Sequence, residues 1–364
     1  MSRKKMIKLF DPFIGFGEEK AIKQVLHSGF WASGAGVGNV LKFENEVKKY
    51  LDSKSCVAVN SGTAALNLSL SLFNIKNKEV IVPSLTFVST VNAIVINGGK
   101  PIFADVEPKT LCLDPEKISQ LINKKTIAIL PVHFAGMPCN IDLIERKCRK
   151  NKIYLIEDAA HAFGASYNKK KIGRHGDIVC FSFHPVKNLA MPNGGLISIN
   201  NKNHKKIKDE LLSKRWCGIT DRKKFFYDVK EIGNNYYMNE FSAAIGRVQL
   251  RKIENMNKIR KKIAKVYEKE LEVRKKIPFS KNCSYHIYWI MIKNRKSFME
   301  KMKNVGIETG IHYKPVHTMT KYQNSIKLPV TEKVGKEIVS IPIHPNLDEG
   351  DIRKIIKYVN KFVE

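Results

Sequence analysis

Nowhere in this chain does an apolar run reach the roughly 18 residues of a transmembrane helix, so no membrane span is expected. The basic start, Met1-Ser-Arg-Lys-Lys-Met-Ile-Lys8, is followed by no apolar signal-peptide core. Cysteine is sparse, with seven residues (Cys56, Cys112, Cys139, Cys148, Cys180, Cys217, Cys283) and no CxxC pair among them. Four lie in apolar or Ser/Gly contexts, and an odd count without metal spacing points to a reduced, cytoplasmic protein with no metal site. Acids are scarce too: 34 Asp+Glu stand against 64 Lys+Arg, a net charge of +30.

Such an excess invites a nucleic-acid or anionic-membrane reading. Its densest stretch, Arg251 to Lys276, holds eleven basic and four acidic residues. Yet Ile253, Met256, Ile259, Ile263 and Val266 recur there three or four apart, as on a surface helix with one buried stripe. Aromatics are not interleaved with the charges, as a nucleic-acid platform requires. The lysines therefore read as a solvated surface that steers anionic substrates, and a nucleic-acid partner is not expected.

With 364 residues, 43% hydrophobic, the chain can bury one large core and a smaller second one. Between about residues 54 and 200, short apolar runs alternate with helical patterns, the mark of an α/β sheet. Strands are predicted over Cys56–Val59, Glu79–Val82, Pro101–Ala104, Ala128–His133, Tyr154–Glu157, Ile178–Phe181 and Gly195–Ile199. Helices are predicted over Thr63–Phe73, Thr90–Asn97, Pro115–Leu121 and Asp142–Asn151. Residues 201–250 read as helical and loop-rich. Beyond them a long helix, a strand at Tyr285–Ile292, and helices at Arg295–Asn304 and Ile352–Phe362 suggest a smaller α+β domain. The expected division is 1–250 and 251–364.

Four strand ends carry chemistry. Ser61-Gly62-Thr63 opens a helix, and backbone amides there suit a phosphate, although Ser-Gly-Thr turns also merely cap helices. Asp158 ends the apolar run Ile153-Tyr-Leu-Ile-Glu157; it either meets a buried cation or caps a helix. His161 follows, as a cofactor contact or a satisfied core histidine. Lys187 sits past Asp177-Ile-Val-Cys-Phe-Ser182-Phe-His-Pro-Val, where apolar surroundings would ease loss of its proton. Phe87, after the second strand, is either a platform for a flat ring or a core aromatic. An amine, a buried acid and a phosphate cradle in this order are what pyridoxal 5′-phosphate (PLP) requires.

These motifs resemble the DegT/StrS family of PLP-dependent sugar aminotransferases. The likeness runs from Ser28-Gly-Phe-Trp31-Ala-Ser-Gly34 through Ser61-Gly-Thr63, Pro83-Ser-Leu-Thr-Phe87, Ile102-Phe-Ala-Asp105-Val and Pro131-Val-His133-Phe-Ala-Gly136. It continues through Glu157-Asp158-Ala-Ala-His161, Ser182-Phe-His-Pro-Val-Lys187, Gly233-Asn-Asn235 and His312-Tyr313-Lys-Pro315. The resemblance implies PLP fold type I: a large domain with a mostly parallel seven-stranded sheet between helices, plus a smaller C-terminal α+β domain.

It further implies that Lys187 forms the Schiff base and moves the proton, Asp158 pairs with the pyridinium nitrogen, His161 touches the phenolic oxygen and Phe87 stacks on the ring. Gly62, Thr63 and Ser182 would hold the phosphate, joined by Asn235 of a neighbouring subunit in a homodimer with shared sites. Trp31, His312 and Tyr313 would lie near the substrate. The implied reaction is ping-pong transfer of an amino group, from L-glutamate, to a keto-sugar on a nucleoside diphosphate, in amino-sugar and polysaccharide biosynthesis.

A sugar dehydratase of the same fold, whose relatives carry His in place of the lysine, and an amino-cyclitol transaminase remain alternatives. A basic nucleic-acid-binding or regulatory protein is the non-enzymatic one. Phe183-His-Pro-Val-Lys187 resembles relatives that aminate carbon 4. Two departures stand out. The family's Thr-Gly-Glu-Gly-Gly is here Met191-Pro192-Asn193-Gly-Gly195, and Tyr237 replaces an arginine.

Overall fold

The computed structural model describes residues 6–363; the first basic residues, Met1–Lys5, lie outside them. Two amphipathic helices come first, α1 (Phe16–Ser28) and α2 (Gly38–Leu51). The α/β alternation follows as β1 (Ser55–Val59), α3 (Gly62–Ser71), β2 (Glu79–Pro83), α4 (Val88–Ile96), β3 (Lys100–Ala104), α5 (Pro115–Ile118), β4 (Thr126–Ile129), α6 (Ile141–Asn151) and β5 (Tyr154–Asp158). A two-residue hairpin pair, β6 (Ser166–Tyr167) and β7 (Lys170–Lys171), leads to β8 (Ile178–Ser182) and β9 (Gly195–Ile199).

The large sheet has seven strands in the order β1-β9-β8-β5-β4-β2-β3. Only β9 runs antiparallel to its neighbours, β1 and β8; the other pairings are parallel. Alternate side chains enter separate cores on the two faces. Ala58, Ile81, Leu155 and Phe181 join one, while Val57, Val82, Ile156 and Cys180 join the other. Because both faces are covered, the strands read as continuous apolar runs.

The seven expected strands of this sheet are present with ends moved by a residue or two, except the fourth, and the later strand expected from Tyr285 begins at Tyr288. The fourth stops at Ile129, and His133 precedes a short 3₁₀ turn, Phe134–Gly136, rather than ending the strand. Helix α5 likewise ends at Ile118 instead of Leu121.

Residues 201–250 contain α7 (His204–Lys214) and a hairpin that the sequence reading missed, β10 (Ile219–Lys223) with β11 (Phe226–Val229). Helix α8 (Glu240–Glu270) is 31 residues long and runs across the boundary expected near residue 250. Asn239 caps it by accepting from the Ser242 amide at 2.8 Å. The remaining part comprises β12 (Tyr288–Met291), α9 (Arg295–Asn304), α10 (Pro329–Glu337), β13 (Ile338–Ile341) and α11 (Glu349–Phe362). Strand β12 pairs antiparallel with β13, and Ile7 bridges to Ile307, so the N-terminal arm lies against this smaller region.

Long-range caps join the parts. Helix α10 has no cap of its own; Asp105, just past β3, accepts from the Val330 and Thr331 amides at 3.0 and 2.8 Å and from the Thr331 hydroxyl at 2.7 Å. Buried Ser84 accepts from the His317 amide at 3.0 Å and bonds His317 Nδ1 at 2.6 Å. Replacing Asp105 with Ala leaves those donors without an acceptor in a buried position. The expected cost is about 2–4 kcal/mol, read as a lower urea midpoint, with Asp105→Asn intermediate. An unchanged midpoint in Asp105→Ala would show that the cap is not structural.

Candidate active site

Strands β1, β2, β5 and β8 all point their C-terminal ends to one edge of the sheet, where open α/β sheets bind ligands. A cavity of roughly 400 Å³ opens there, lined by residues from each of these ends and by Phe10, His312 and Tyr313 from the far side. Of the residues expected at the site, Gly62, Thr63, Phe87, Asp158, His161, Ser182, Lys187, His312 and Tyr313 all line it.

Asp158 is buried, and burial raises its pKa above the ordinary carboxylate range, against the opposing pull of its hydrogen bonds and of Lys187. One oxygen accepts from the Thr90 hydroxyl at 2.8 Å and the other from the Ala160 amide at 3.0 Å. Thr90 is held in turn by Thr86, 2.8 Å away. A carboxylate fixed so firmly and denied water requires a cation. Lys187, whose pKa burial pulls down to about 8 while Asp158 pulls it up, is the nearby amine.

The start of α3 has the form of an anion cradle. Ser61 caps the helix by accepting from the Ala64 amide at 3.1 Å, which leaves the first amides of the helix facing the cavity. A Cβ on Gly62 would stand 2.6 Å from the Ser182 Cβ, so only glycine permits this approach of the helix to the end of β8. These residues fit PLP: an anion site, a ring-nitrogen partner and an amine converge on one cavity.

His161 Nδ1 accepts from the Ala135 amide at 3.3 Å, so its proton sits on Nε2, which donates to the Tyr313 hydroxyl at 3.0 Å. Burial, and then Lys187, hold this imidazole neutral. The same two causes bring His312 down to about 4. Phe87 is 55% exposed, its ring 5.8 Å from that of Tyr313, so it is a wall of the cavity and not a core aromatic.

Trp31 and Asn235 do not line the cavity within one chain. The Trp31 indole donates to the Leu26 carbonyl at 3.3 Å and lies beside Phe241. Asn235 is exposed; its carbonyl accepts from the side chain of Asn60, which does line the cavity. Of the departures, Met191 is buried, its Sδ 2.6 Å from where a Gly194 Cβ would be and its Cε 2.0 Å from that of Gly246. Asn193 faces the cavity and accepts from the Ser242 hydroxyl at 2.6 Å. Tyr237 is half-buried.

The sequence reading assigned no role to Thr90 or Asn60, nor to His286, whose Nε2 lies 3.4 Å from the Lys187 amine. Thr90 had a signal, its spacing three residues after Phe87 on the same strand-to-helix turn. His286 had none, standing 99 residues from its partner.

Comparison with known proteins agrees with this geometry. The sequence pattern of the DegT/DnrJ/EryC1/StrS aminotransferase family matches residues 14–360. An uncharacterised protein of Methanocaldococcus jannaschii is 35% identical over 100% of this chain and 99% of its own length. The GDP-perosamine synthase of Vibrio cholerae is 30% identical over 98% of this chain and 99% of its own. Among solved structures, PseC of Helicobacter pylori, an aminotransferase of pseudoaminic acid biosynthesis, superposes with a TM-score of 0.93 at 27% identity, covering 99% of each chain.

A free Lys187 amine is an ammonium ion below about pH 8 and a nucleophile above it. Attachment of added PLP to cofactor-free protein, followed by absorbance, should therefore rise through about pH 8 and level off, not climb toward the 10.5 of an ordinary lysine. Asp158 favours the ammonium form, so Asp158→Asn should move the midpoint lower. A midpoint near that of free lysine would contradict the burial argument.

Proposed function

This chain belongs to the DegT/DnrJ/EryC1/StrS aminotransferase family, a PLP-dependent family of sugar aminotransferases, and on that premise we propose that it transfers an amino group from L-glutamate to a keto-sugar carried on a nucleoside diphosphate. The observation that carries this reading is the meeting of Lys187 with Asp158 and the start of α3 at one cavity. The 30% identity to a GDP-perosamine synthase supports a nucleotide-linked sugar. So does the net charge of +30, which draws an anionic substrate toward the site.

When bound, PLP supplies an electron sink for the carbon that loses a proton. The chain supplies orientation and proton control. Gly62, Thr63 and Ser182 hold the phosphate, and Phe87 flanks the ring. Asp158, its two oxygens fixed by Thr90 and Ala160, keeps a proton on the ring nitrogen. The Nε2–H of His161, which meets the Tyr313 hydroxyl in the structure, would turn to the phenolic oxygen when the cofactor is bound. Lys187 anchors the cofactor and, once released, carries the proton between carbons; its lowered pKa suits it to both taking and giving. His312 and Tyr313 form the substrate side of the cavity.

The reading includes a homodimer with shared sites. Hairpin β10–β11 and its flank present Phe225, Phe226, Tyr227, Val229 and Ile232 to solvent, with Phe225 and Ile232 more than nine-tenths exposed. So contiguous an apolar surface calls for a covering partner. A two-fold arrangement would cover it on both chains and carry Asn235, with Trp31, toward the neighbouring cavity. The free state of all seven cysteines suits a reducing, cytoplasmic setting. Among the described residues no helix is long and apolar enough to cross a membrane.

Two experiments test these points. The pyridoxamine form, given a panel of nucleotide keto-sugars, should regain PLP absorbance with one of them, while Lys187→Ala stays silent. Regain with a keto-cyclitol alone, or a deoxygenated product formed without glutamate consumption, would replace the reading. Mixing Lys187→Ala with Asn235→Ala chains under subunit exchange should raise activity above either parent, because one of the two sites then carries neither lesion. No rise despite verified exchange would defeat shared sites.

A further inference from the structure

The side chain in hydrogen-bond reach of the Lys187 amine belongs to none of the motifs read from the sequence. His286 sits two residues before β12, and its imidazole is confined on several sides. The ring stacks on Phe10 with centroids 5.3 Å apart and planes 20° from parallel, and lies 4.5 Å from the ring of His161. Its backbone amide donates to the Ala135 carbonyl at 3.0 Å, and the Ser284 amide donates to the Gly136 carbonyl at 3.1 Å. Gly136 has φ +89° and leaves no room for a side chain: a Cβ there would meet Ser284 Oγ at 2.3 Å. The strand that delivers His286 is thus fastened to the turn after His133, and the imidazole is not free to swing. Within the structure Nδ1 has no partner, and Nε2 has one, Lys187 Nζ at 3.4 Å.

We propose that His286 is a positioning residue for Lys187: its Nε2 accepts an N–H from the lysine amine and aims the remaining bonds of that nitrogen into the cavity. The direction follows from what each partner can offer. An ammonium group has donors only, whereas a neutral amine has two donors and one lone pair. Nε2 as acceptor is therefore the one arrangement that survives both protonation states of a proton carrier. It leaves the lone pair of the neutral amine pointing elsewhere, free to take a proton. Burial and the positive charge of Lys187 hold His286 neutral, so one ring nitrogen is an acceptor, and Nε2 is the one that faces the lysine. The other ionisable groups around the pair are Asp158 beyond Lys187, His161 with Tyr313, His184, His312 and Arg260; of these only Asp158 is a carboxylate. Without His286, the flexible four-carbon stem of the lysine would search for its position in each half-reaction.

The proposal rests on Lys187 being the cofactor's lysine, so the experiment separates the two claims. Borohydride reduction of the holoenzyme and peptide mass spectrometry first locate the attachment; trapping on another lysine sinks the Lys187 assignment itself. With Lys187 confirmed, the amine is free in the pyridoxamine form, where competitive acetylation across pH reports its titration midpoint.

In His286→Phe the ring persists but the acceptor is gone. The ammonium form loses a partner, and the midpoint should fall by roughly half to one pH unit. The single-turnover rate should fall about tenfold to a hundredfold, with the KM for the amino donor within about twofold. His286→Gln, whose amide oxygen reaches the place of Nε2, should restore most of both. Should the Phe variant not fold, His286→Asn, one carbon too short to reach, takes its place with the same expectations. A midpoint that stays or rises on loss of the acceptor, or a Gln variant as impaired as Phe, overturns the proposal.

Discussion

An acid and an amine are buried at the same edge of one sheet with no ion pair between them in the structure, and much else is arranged around that cost. Asp158 cannot be solvated, so it is given a hydroxyl from Thr90 and an amide from Ala160. Thr90 must then be fixed, which Thr86 does from the turn that also presents Phe87. Lys187 loses proton affinity through burial and regains part of it from Asp158. Each group is unfavourable alone in this place; on the proposed reading both become useful, because the cofactor would bring a cation to one and an aldehyde to the other. The site is a local loss of stability that the two apolar cores on either face of the sheet absorb.

The sheet was legible because its strands are buried on both faces and therefore read as continuous Val/Ile/Cys/Phe runs ending in polar residues. Where it misled, the cause was local: Leu130-Pro-Val-His133 continues the apolar pattern of β4, but the ladder breaks after Ile129, leaving one bridge from Val132 to Asp158 before the 3₁₀ turn Phe134–Gly136. The start of α8 was missed because Phe241-Ser-Ala-Ala-Ile-Gly carries neither charge alternation nor a clear stripe. Hairpin β10–β11 was invisible because its apolar residues face solvent, the opposite of what a burial pattern seeks. Motif residues at strand ends could be found one by one. Contacts such as Asp105 with Thr331, or Lys187 with His286, join segments distant in sequence and leave no trace in either.

Several connections between the two parts of the molecule end on backbone. Asp105 receives amides of α10, the Ser84 carbonyl receives the Val316 amide, and Gly136 and Ala135 receive the amides of Ser284 and His286. Apart from the Asp105 carboxylate, these contacts run from backbone to backbone and do not involve the side chains that line the cavity. They hold the wall formed by His312 and Tyr313 at a set distance from Lys187 while leaving the lining itself open to change. A shared scaffold with varied linings follows from that separation.

The packing of Met191 has a consequence of a different sort. Its thioether fills the room left by two glycines on separate elements, Gly194 beside the cavity and Gly246 within α8. The three positions can therefore drift only together. Exchange of Met191 for a smaller residue leaves a void beneath the loop that carries Asn193, and a methyl group on either glycine collides with sulfur or carbon already in place. Met191 and the two glycines thus act as one spacer that sets how far the Asn193 loop stands off α8.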